Sequence, residues 1–306
     1  MTAIVRPRRV ATRRRGTSAR GWMGWLFIAP FGVVFLFAIV APVCYAVYLS
    51  LFQDRLVGGT AFVGIDNFVY AFTDPQFHEA VGRILLFFAV QVPIMLGLSL
   101  FAALALDSAS LRWAPLYRIM LFLPFAVPGV IAALMWGFLY GSRFGLVGNL
   151  NEFFGIALPD PLSGEWVLAA IANIATWSFL GYNMLVMYSA LRTVPRELYE
   201  SAAIDGAGRW RVIRSIKLPA LRPAFAVCLV FSVIGSFQLF NQPNILRSLS
   251  PNTISSNFTP NMYAYSLSFA GQQHNYAAAI AIVMGLLTMI VAYAAQRVGR
   301  RDGSER

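Results

Sequence analysis

The sequence predicts an all-α membrane protein with six transmembrane helices. Three observations carry that class. Of 306 residues, 58% are hydrophobic and only 12% are charged, about half the charge of a soluble domain. Six stretches stay apolar for the roughly 20 residues a helix needs to cross a hydrocarbon core. The basic residues gather in alternate segments between those stretches, the pattern that sets membrane orientation.

The spans are 22–50, 83–106, 116–140, 166–191, 223–246 and 276–296. Arg6, Arg8, Arg9, Arg13, Arg14, Arg15 and Arg20 precede the first one, as in a signal peptide. That apolar run exceeds the roughly 7–15 residues of a signal core, so it reads as a retained helix. Six spans put both termini on one side. Segments 1–21, 107–115, 192–222 and 297–306, with Arg118, hold 20 of the basic residues; Arg55, Arg83, Arg143 and Arg247 make up the other four. The asymmetry predicts cytoplasmic termini, with loops 51–82, 141–165 and 247–275 facing outward. The chain then divides into a basic tail (1–21), a membrane domain (22–296, with a cytoplasmic loop at 192–222) and a second tail (297–306).

The net charge of +11 is almost all arginine, Lys217 being the single lysine. Its placement between spans points to membrane orientation and lipid contact, not to nucleic acid. Cys44 and Cys228 lie within apolar spans, where a thiol acts as a small hydrophobe. With His78 and His274 in loops, neither a disulfide framework nor a metal set is expected.

Pro30 and Pro42 fall in the first span, Pro93 in the second, Pro124 and Pro128 in the third. They are either kinks that serve packing or hinges along a path. The span cores carry no Asp, Glu, Lys, Arg or His. Ion-coupled pumps place ionisable groups inside the membrane, and acid–base catalysis needs titratable groups within reach. Energy for transport is therefore expected from outside the bilayer. A gradient-driven carrier and a non-transporting scaffold remain the competing classes.

Neutral polar residues do occur inside. At about 100° per residue, Asn173, Thr176 and Asn183 share a sector of the fourth span, with Trp177 beside them. Ser232 and Ser236 share a face of the fifth span, Gln238 and Asn241 another, and the second carries Gln91 and Ser99. These groups either bond helix to helix or line a path for an uncharged polar solute, with Trp136 or Trp177 as a stacking surface. Amides, hydroxyls and aromatic rings suit a sugar; a phosphate or carboxylate would ask for arginine. The candidate path residues are Asn173, Thr176, Trp177, Asn183, Ser236 and Asn241.

The polar island 195–223 reads as two short helices. Pro195 fits a first turn, Glu197 onward propagates a helix, and Asp205-Gly206 ends it. A second helix starts near Arg209, with Trp210, Ile213 and Lys217 on one face, and Leu218-Pro219 stops it. Pro223 opens the next span.

The ordered string in this island resembles the signature of the permease subunits of binding-protein-dependent ABC importers, of the carbohydrate-uptake (sugar or glycerol-3-phosphate) group. That signature is Glu-Ala-Ala, three residues, Gly, nine residues, Ile, one residue, Leu-Pro. Here it reads Glu200-Ser201-Ala202, Gly206, Ile216 and Leu218-Pro219 with the spacing intact. Val63-Gly64-Ile65-Asp66-Asn67-Phe68, Leu123-Pro124 with Pro128 and Trp136, Phe144-Gly145-Leu146 with Asn149, and the start of the last span at Tyr276 also resemble the family. Two places depart from it: Arg83 stands where Asn is common, and 241–261 lacks a Gly-Gly-Pro cluster.

The resemblance implies a type I importer permease fold in a bacterial inner membrane, and a transport subunit rather than an enzyme. It implies that Glu200, Ser201, Ala202, Gly206, Ile216, Leu218 and Pro219 couple the spans to two cytoplasmic ATPases. Those partners would hold ATP and Mg; this chain has no phosphate-binding Gly-x-x-x-x-Gly-Lys loop and takes no cofactor. A second, non-identical permease subunit and an extracytoplasmic solute-binding protein complete the implied assembly.

Overall fold

The computed structural model describes residues 18–55, 57–108, 111–142 and 145–301, with side chains over 24–297. Arg6 to Arg15 of the basic tail, Arg143, Phe144 and residues 302–306 lie outside the described residues. Two units are described in turn, the first ending at Tyr48 and the second running from Leu49.

The first unit is one span. Helix α1 (Ser18–Phe35) passes through a π turn (Leu36–Val40) into α2 (Ala41–Ser50). The π turn answers Pro42, which has no N–H and crowds the carbonyl four residues back. The Ala41 N–H bonds instead to Leu36 O, five residues back, and the widened turn carries the helix past the ring.

The second unit opens with a hairpin absent from the all-α expectation. Strands β1 (Phe52–Arg55) and β2 (Gly59–Phe62) pair antiparallel, Phe52 opposite Phe62. Helix α3 (Asp66–Ala71) follows. Gly64 takes φ +58°, and buried Asn67 donates Nδ2 to Ser50 O and Phe52 O, both at 2.8 Å. The 63–68 element thus ties the hairpin base down: Gly allows the left-handed turn, Asn supplies the two bonds.

Helix α4 (Pro75–Leu106) begins about two turns before the expected start at 83,. Asp74 caps it by accepting from Gln76 N at 2.9 Å, with Pro75 in the first turn,. At 32 residues it is about 48 Å long,, more than the membrane core needs.

The third span is broken rather than kinked. Helix α5 (Ala114–Phe122) runs into a 3-10 turn (Leu123–Ala126), Val127 is extended, and α6 (Gly129–Leu139) departs at 99°. Pro124 and Pro128 each remove a donor, and Pro128 forces Val127 out of the helical region. Among the described residues, five helices are long and apolar enough to cross a membrane, or six with this bent pair as one span.

Helix α7 (Leu146–Phe154) lies in the second outward-predicted loop, and α8 (Val167–Leu191) is the fourth span. Ser99 of α4 donates to Leu180 O of α8 at 3.0 Å. Gly181 lets α5 approach: a Cβ there would sit 1.9 Å from Leu121 O. Small residues at such crossings are what helix packing in lipid requires.

One further expectation is corrected. Leu218-Pro219 does not stop the second island helix. Helices α9 (Arg196–Ile204) and α10 (Arg209–Val212) are separate, but α10, a π turn (Ile213–Lys217) and α11 (Leu218–Phe237) form one continuous helix with Pro223 inside. The device is that of Pro42: Leu218 N–H reaches Ile213 O, and Pro219 follows without a break. The fifth span does run to Leu246 but is interrupted near its end: α11 stops at Phe237, and α12 (Asn241–Leu246) restarts after Phe240 at φ −143°. Helix α13 (Pro260–Phe269) and the last span, α14 (His274–Arg301), complete the chain. One buried cluster gathers Phe77, Ile84, Ile171, Phe237 and Tyr276; another gathers Val92, Leu96, Met184, Leu191 and Leu221.

Candidate functional site

The breaks in the third and fifth spans open a cavity of about 410 Å³ against α4 and α8. Its size suits a small solute. The polar wall is Gln91, Asn183, Ser232, Ser236, Gln238, Asn241 and Gln242; the aromatic wall includes Phe125, Tyr182 and Phe240. None of its lining residues is Asp, Glu, Lys, Arg or His. Phe125, in the 3-10 turn that the two prolines impose, stacks on Tyr182 with centroids 4.9 Å apart and planes at 22°. Gln238 and Asn241 flank the α11–α12 break. Ser236 donates to Ser232 O at 2.8 Å and Asn183 to Phe179 O at 3.2 Å. Those bonds leave the hydroxyl and amide oxygens as acceptors.

Three of the six candidate path residues, Asn183, Ser236 and Asn241, meet on this wall. The other three do not line it. Thr176 stands behind it, accepting from Gln91 Nε2 at 3.3 Å. Asn173 donates to Tyr140 Oη at 2.8 Å, and Tyr140 donates to Ala170 O at 3.1 Å, a chain that packs α6 on α8. Trp177 meets Trp136 edge to face, 5.9 Å between centroids. Asn173, Thr176 and Asn183 all lie on α8, but which part of that sector fronts a cavity depends on neighbouring helices. Phe125 and Tyr182 carried no polar pattern to mark them; Pro124 and Pro128 beside Phe125 were the available signal.

The island forms a second locus. Pro195 stands just before α9 (φ −59°, ψ 140°) rather than in its first turn. Helix α9 ends in two reciprocal bonds, Gly206 N–H to Ala203 O (3.1 Å) and Ala207 N–H to Ala202 O (2.9 Å), with Gly206 at φ +70°. This is the Schellman geometry. Glu200, Ser201 and Gly206 are exposed, while Ala202, Ile216, Leu218 and Pro219 are partly buried. Two large apolar side chains stand out in this polar segment, Ile204 at 87% and Trp210 at 74% exposure. Trp210 does not follow Ile213 and Lys217 inward. Lys217 Nζ lies 2.6 Å from Asp107 Oδ2, at the end of α4, and 5.8 Å from the Tyr199 ring centroid.

At the opposite end of α4, pattern reading passed over Asp74. It is 4% exposed, and its Oδ2 accepts from Tyr263 Oη at 2.7 Å and Tyr276 Oη at 2.6 Å. Burial pushes its carboxyl up, but the bonds from Tyr263, Tyr276 and the Gln76 and Phe77 N–H groups outweigh that and hold it below the ordinary value,. The cap joins α4, α13 and α14. Nearby, Arg83 bonds Asn257 O and Phe258 O at 3.5 Å each and stacks 5.2 Å from the Phe258 centroid. Arg83 and the unusual 241–261 segment, the two departures noted in the sequence, are therefore in contact.

Residues 95–301 match the family described as binding-protein-dependent transport system inner membrane component. The lactose transport system permease protein of Rhizobium radiobacter is 32% identical, over 88% of this chain and 91% of the relative. The sulfoquinovosyl glycerol transport system permease protein of Agrobacterium fabrum is 34% identical (87% and 86%). The diacetylchitobiose uptake system permease protein of Streptomyces coelicolor is 30% identical (90% and 83%). Among solved structures, a chain of a bacterial ABC transporter that imports the acidic polysaccharide alginate superposes with TM-score 0.81, at 24% identity over 92% of this chain and 96% of that one. The same kind of transporter with an alginate pentasaccharide-bound periplasmic protein gives 0.82, at 23% identity over 94% and 96%.

Proposed function

This chain belongs to the family of binding-protein-dependent transport system inner membrane components, and on that premise we propose where its solute sits and what it is. The 410 Å³ cavity holds the solute, and the solute is a neutral saccharide. The observation that carries this is the lining: amide, hydroxyl and aromatic side chains without a formal charge. Sugar hydroxyls pair with the amides and hydroxyls, and sugar ring faces lie against Phe125, Tyr182 and Phe240. An acidic saccharide such as the alginate of the structural relative would call for a cation in the wall.

Membership of a transport family decides against a non-transporting scaffold. Transport is powered by two cytoplasmic ATPases that bind ATP and Mg, with exposed Ile204 and Trp210 beside Glu200, Ser201, Ala202 and Gly206 offering the docking surface. The distribution of Lys and Arg supports cytoplasmic termini and a cytoplasmic island. A solute-binding protein then meets the loops at 51–82, 141–165 and 247–275, and a second, non-identical permease completes the path.

The test is uptake by cells carrying the chain, lacking it, or carrying single replacements. The probes are radiolabelled neutral mono- to tetrasaccharides, with galacturonate and glycerol-3-phosphate as anions. Deletion is expected to remove uptake of a neutral saccharide. Asn183→Leu, on the wall, lowers that uptake tenfold or more. Asn173→Leu leaves it near normal and instead loosens the α6–α8 packing by about 1 kcal/mol. Loss of anion uptake with every neutral sugar unaffected would overturn the solute class.

A further inference from the structure

A second cavity, of about 580 Å³, lies where the island meets the ends of α4 and α8. Part of its lining is apolar, including Leu104, Leu191 and Val212. Four basic side chains also line it: Arg192 at the end of α8, Arg196 opening α9, Arg209 opening α10, and Lys217. Asp107 is the acidic lining residue, and Lys217 already holds it at 2.6 Å. Among the described residues, no ion pair joins Arg192, Arg196 or Arg209 to an acid. Three guanidinium groups from separate elements thus share one concavity whose acidic lining residue, Asp107, is paired with Lys217. Ile204, Trp210, Glu200, Ser201, Ala202 and Gly206, the surface offered to the ATPase, are not in the lining, although their neighbours Tyr199, Ala207 and Arg209 are.

We propose that this cavity binds a phosphate-bearing anion. Guanidinium forks match phosphate oxygens in pairs, and an anion would supply the counter-charge the three arginines lack in an ion pair. The phosphate belongs to an anionic phospholipid headgroup or is free inorganic phosphate. The apolar share of the lining favours the lipid, whose chain it would cover. The assignment rests on the orientation proposed above only in placing the cavity at the cytoplasmic leaflet.

The test uses the assembled transporter, co-purified with its ATPase and delipidated in detergent. It is titrated with dioleoyl phosphatidylglycerol or dioleoyl phosphatidylcholine, with native mass spectrometry counting bound lipid. Phosphatidylglycerol is expected to bind saturably and more tightly than phosphatidylcholine. The triple variant Arg192→Gln/Arg196→Gln/Arg209→Gln weakens it tenfold or more, and Arg209→Gln alone weakens it severalfold. Arg211→Gln/Arg214→Gln, whose parent residues do not line the cavity, leaves it unchanged. Displacement of the lipid by millimolar inorganic phosphate, with the same arginine dependence, identifies free phosphate as the source; resistance to displacement identifies the lipid. Equal lipid binding by wild type and triple variant overturns the site, as does equal loss in the Arg211/Arg214 control. The same spectra show whether the ATPase stays bound, so failure of the importer reading is seen separately.

Discussion

Lys217 and Asp107, 2.6 Å apart and each with a side chain less than one-seventh exposed, join the island to the membrane domain. Lys217 is the last residue of the π turn below α11, and Asp107 caps α4, which carries Gln91 of the 410 Å³ cavity. The pair therefore connects the island, proposed above to dock the ATPase, with a helix that lines the cavity proposed to hold the solute. Removing one member leaves a largely buried charge, a loss of roughly 1.5–3 kcal/mol. Asp107→Ala should lower uptake and leave ATPase activity less dependent on solute. The exchange Asp107→Lys/Lys217→Asp should restore part of both. An exchange variant as poor as the single one would show that the pair's role is not electrostatic.

Gly206→Pro should abolish uptake while the protein still reaches the membrane. Gly206 holds φ +70° and donates to Ala203 O; proline is confined near φ −65° and has no N–H. The change alters the turn between α9 and α10 and touches no span. Membrane abundance by immunoblot alongside uptake is the check, and normal uptake would remove the turn from the coupling path.

Gly181→Ala should lower the thermal stability of the detergent-solubilised complex by about 1–3 kcal/mol, as overpacking does. The added Cβ would stand 1.9 Å from Leu121 O, a backbone atom that cannot rotate away. Gly285→Ala, with no atom within 4 Å of its Cβ position, should be neutral. Equal melting temperatures for the two variants would contradict the close α5–α8 approach.

Asp74 sets a stability term with a defined pH range. Its carboxyl is held below the ordinary value of 3.8. The stabilisation is therefore complete above that value and is lost as pH falls through the lower, folded-state one. Asp74→Asn should destabilise at pH 7, with a cap worth about 1 kcal/mol plus the weakened tyrosine bonds. It should also flatten this group's share of the acid limb below about pH 4, with no effect on the slope between pH 5 and 8. Melting curves of both proteins across that range decide it.

The sequence by itself determined the helical membrane class, the location of the apolar spans and the helix-ending turn at Gly206 in the island. These are local properties: hydropathy over about 20 residues, and the need for glycine where φ is positive. Proline positions were also legible, but their effect was not. Pro42 and Pro219 are absorbed by π turns, whereas Pro124 and Pro128 break a span through 99°, because the outcome depends on what can donate to the freed carbonyls. Only the tertiary structure decided that Asn183 fronts the cavity while Asn173 is spent on Tyr140, although both lie on one helix sector. It alone brought Asp74 to Tyr276, 202 residues away, and Lys217 to Asp107. Such pairs leave no periodic trace in a chain, since their partners are chosen by how helices cross and not by spacing along any one of them.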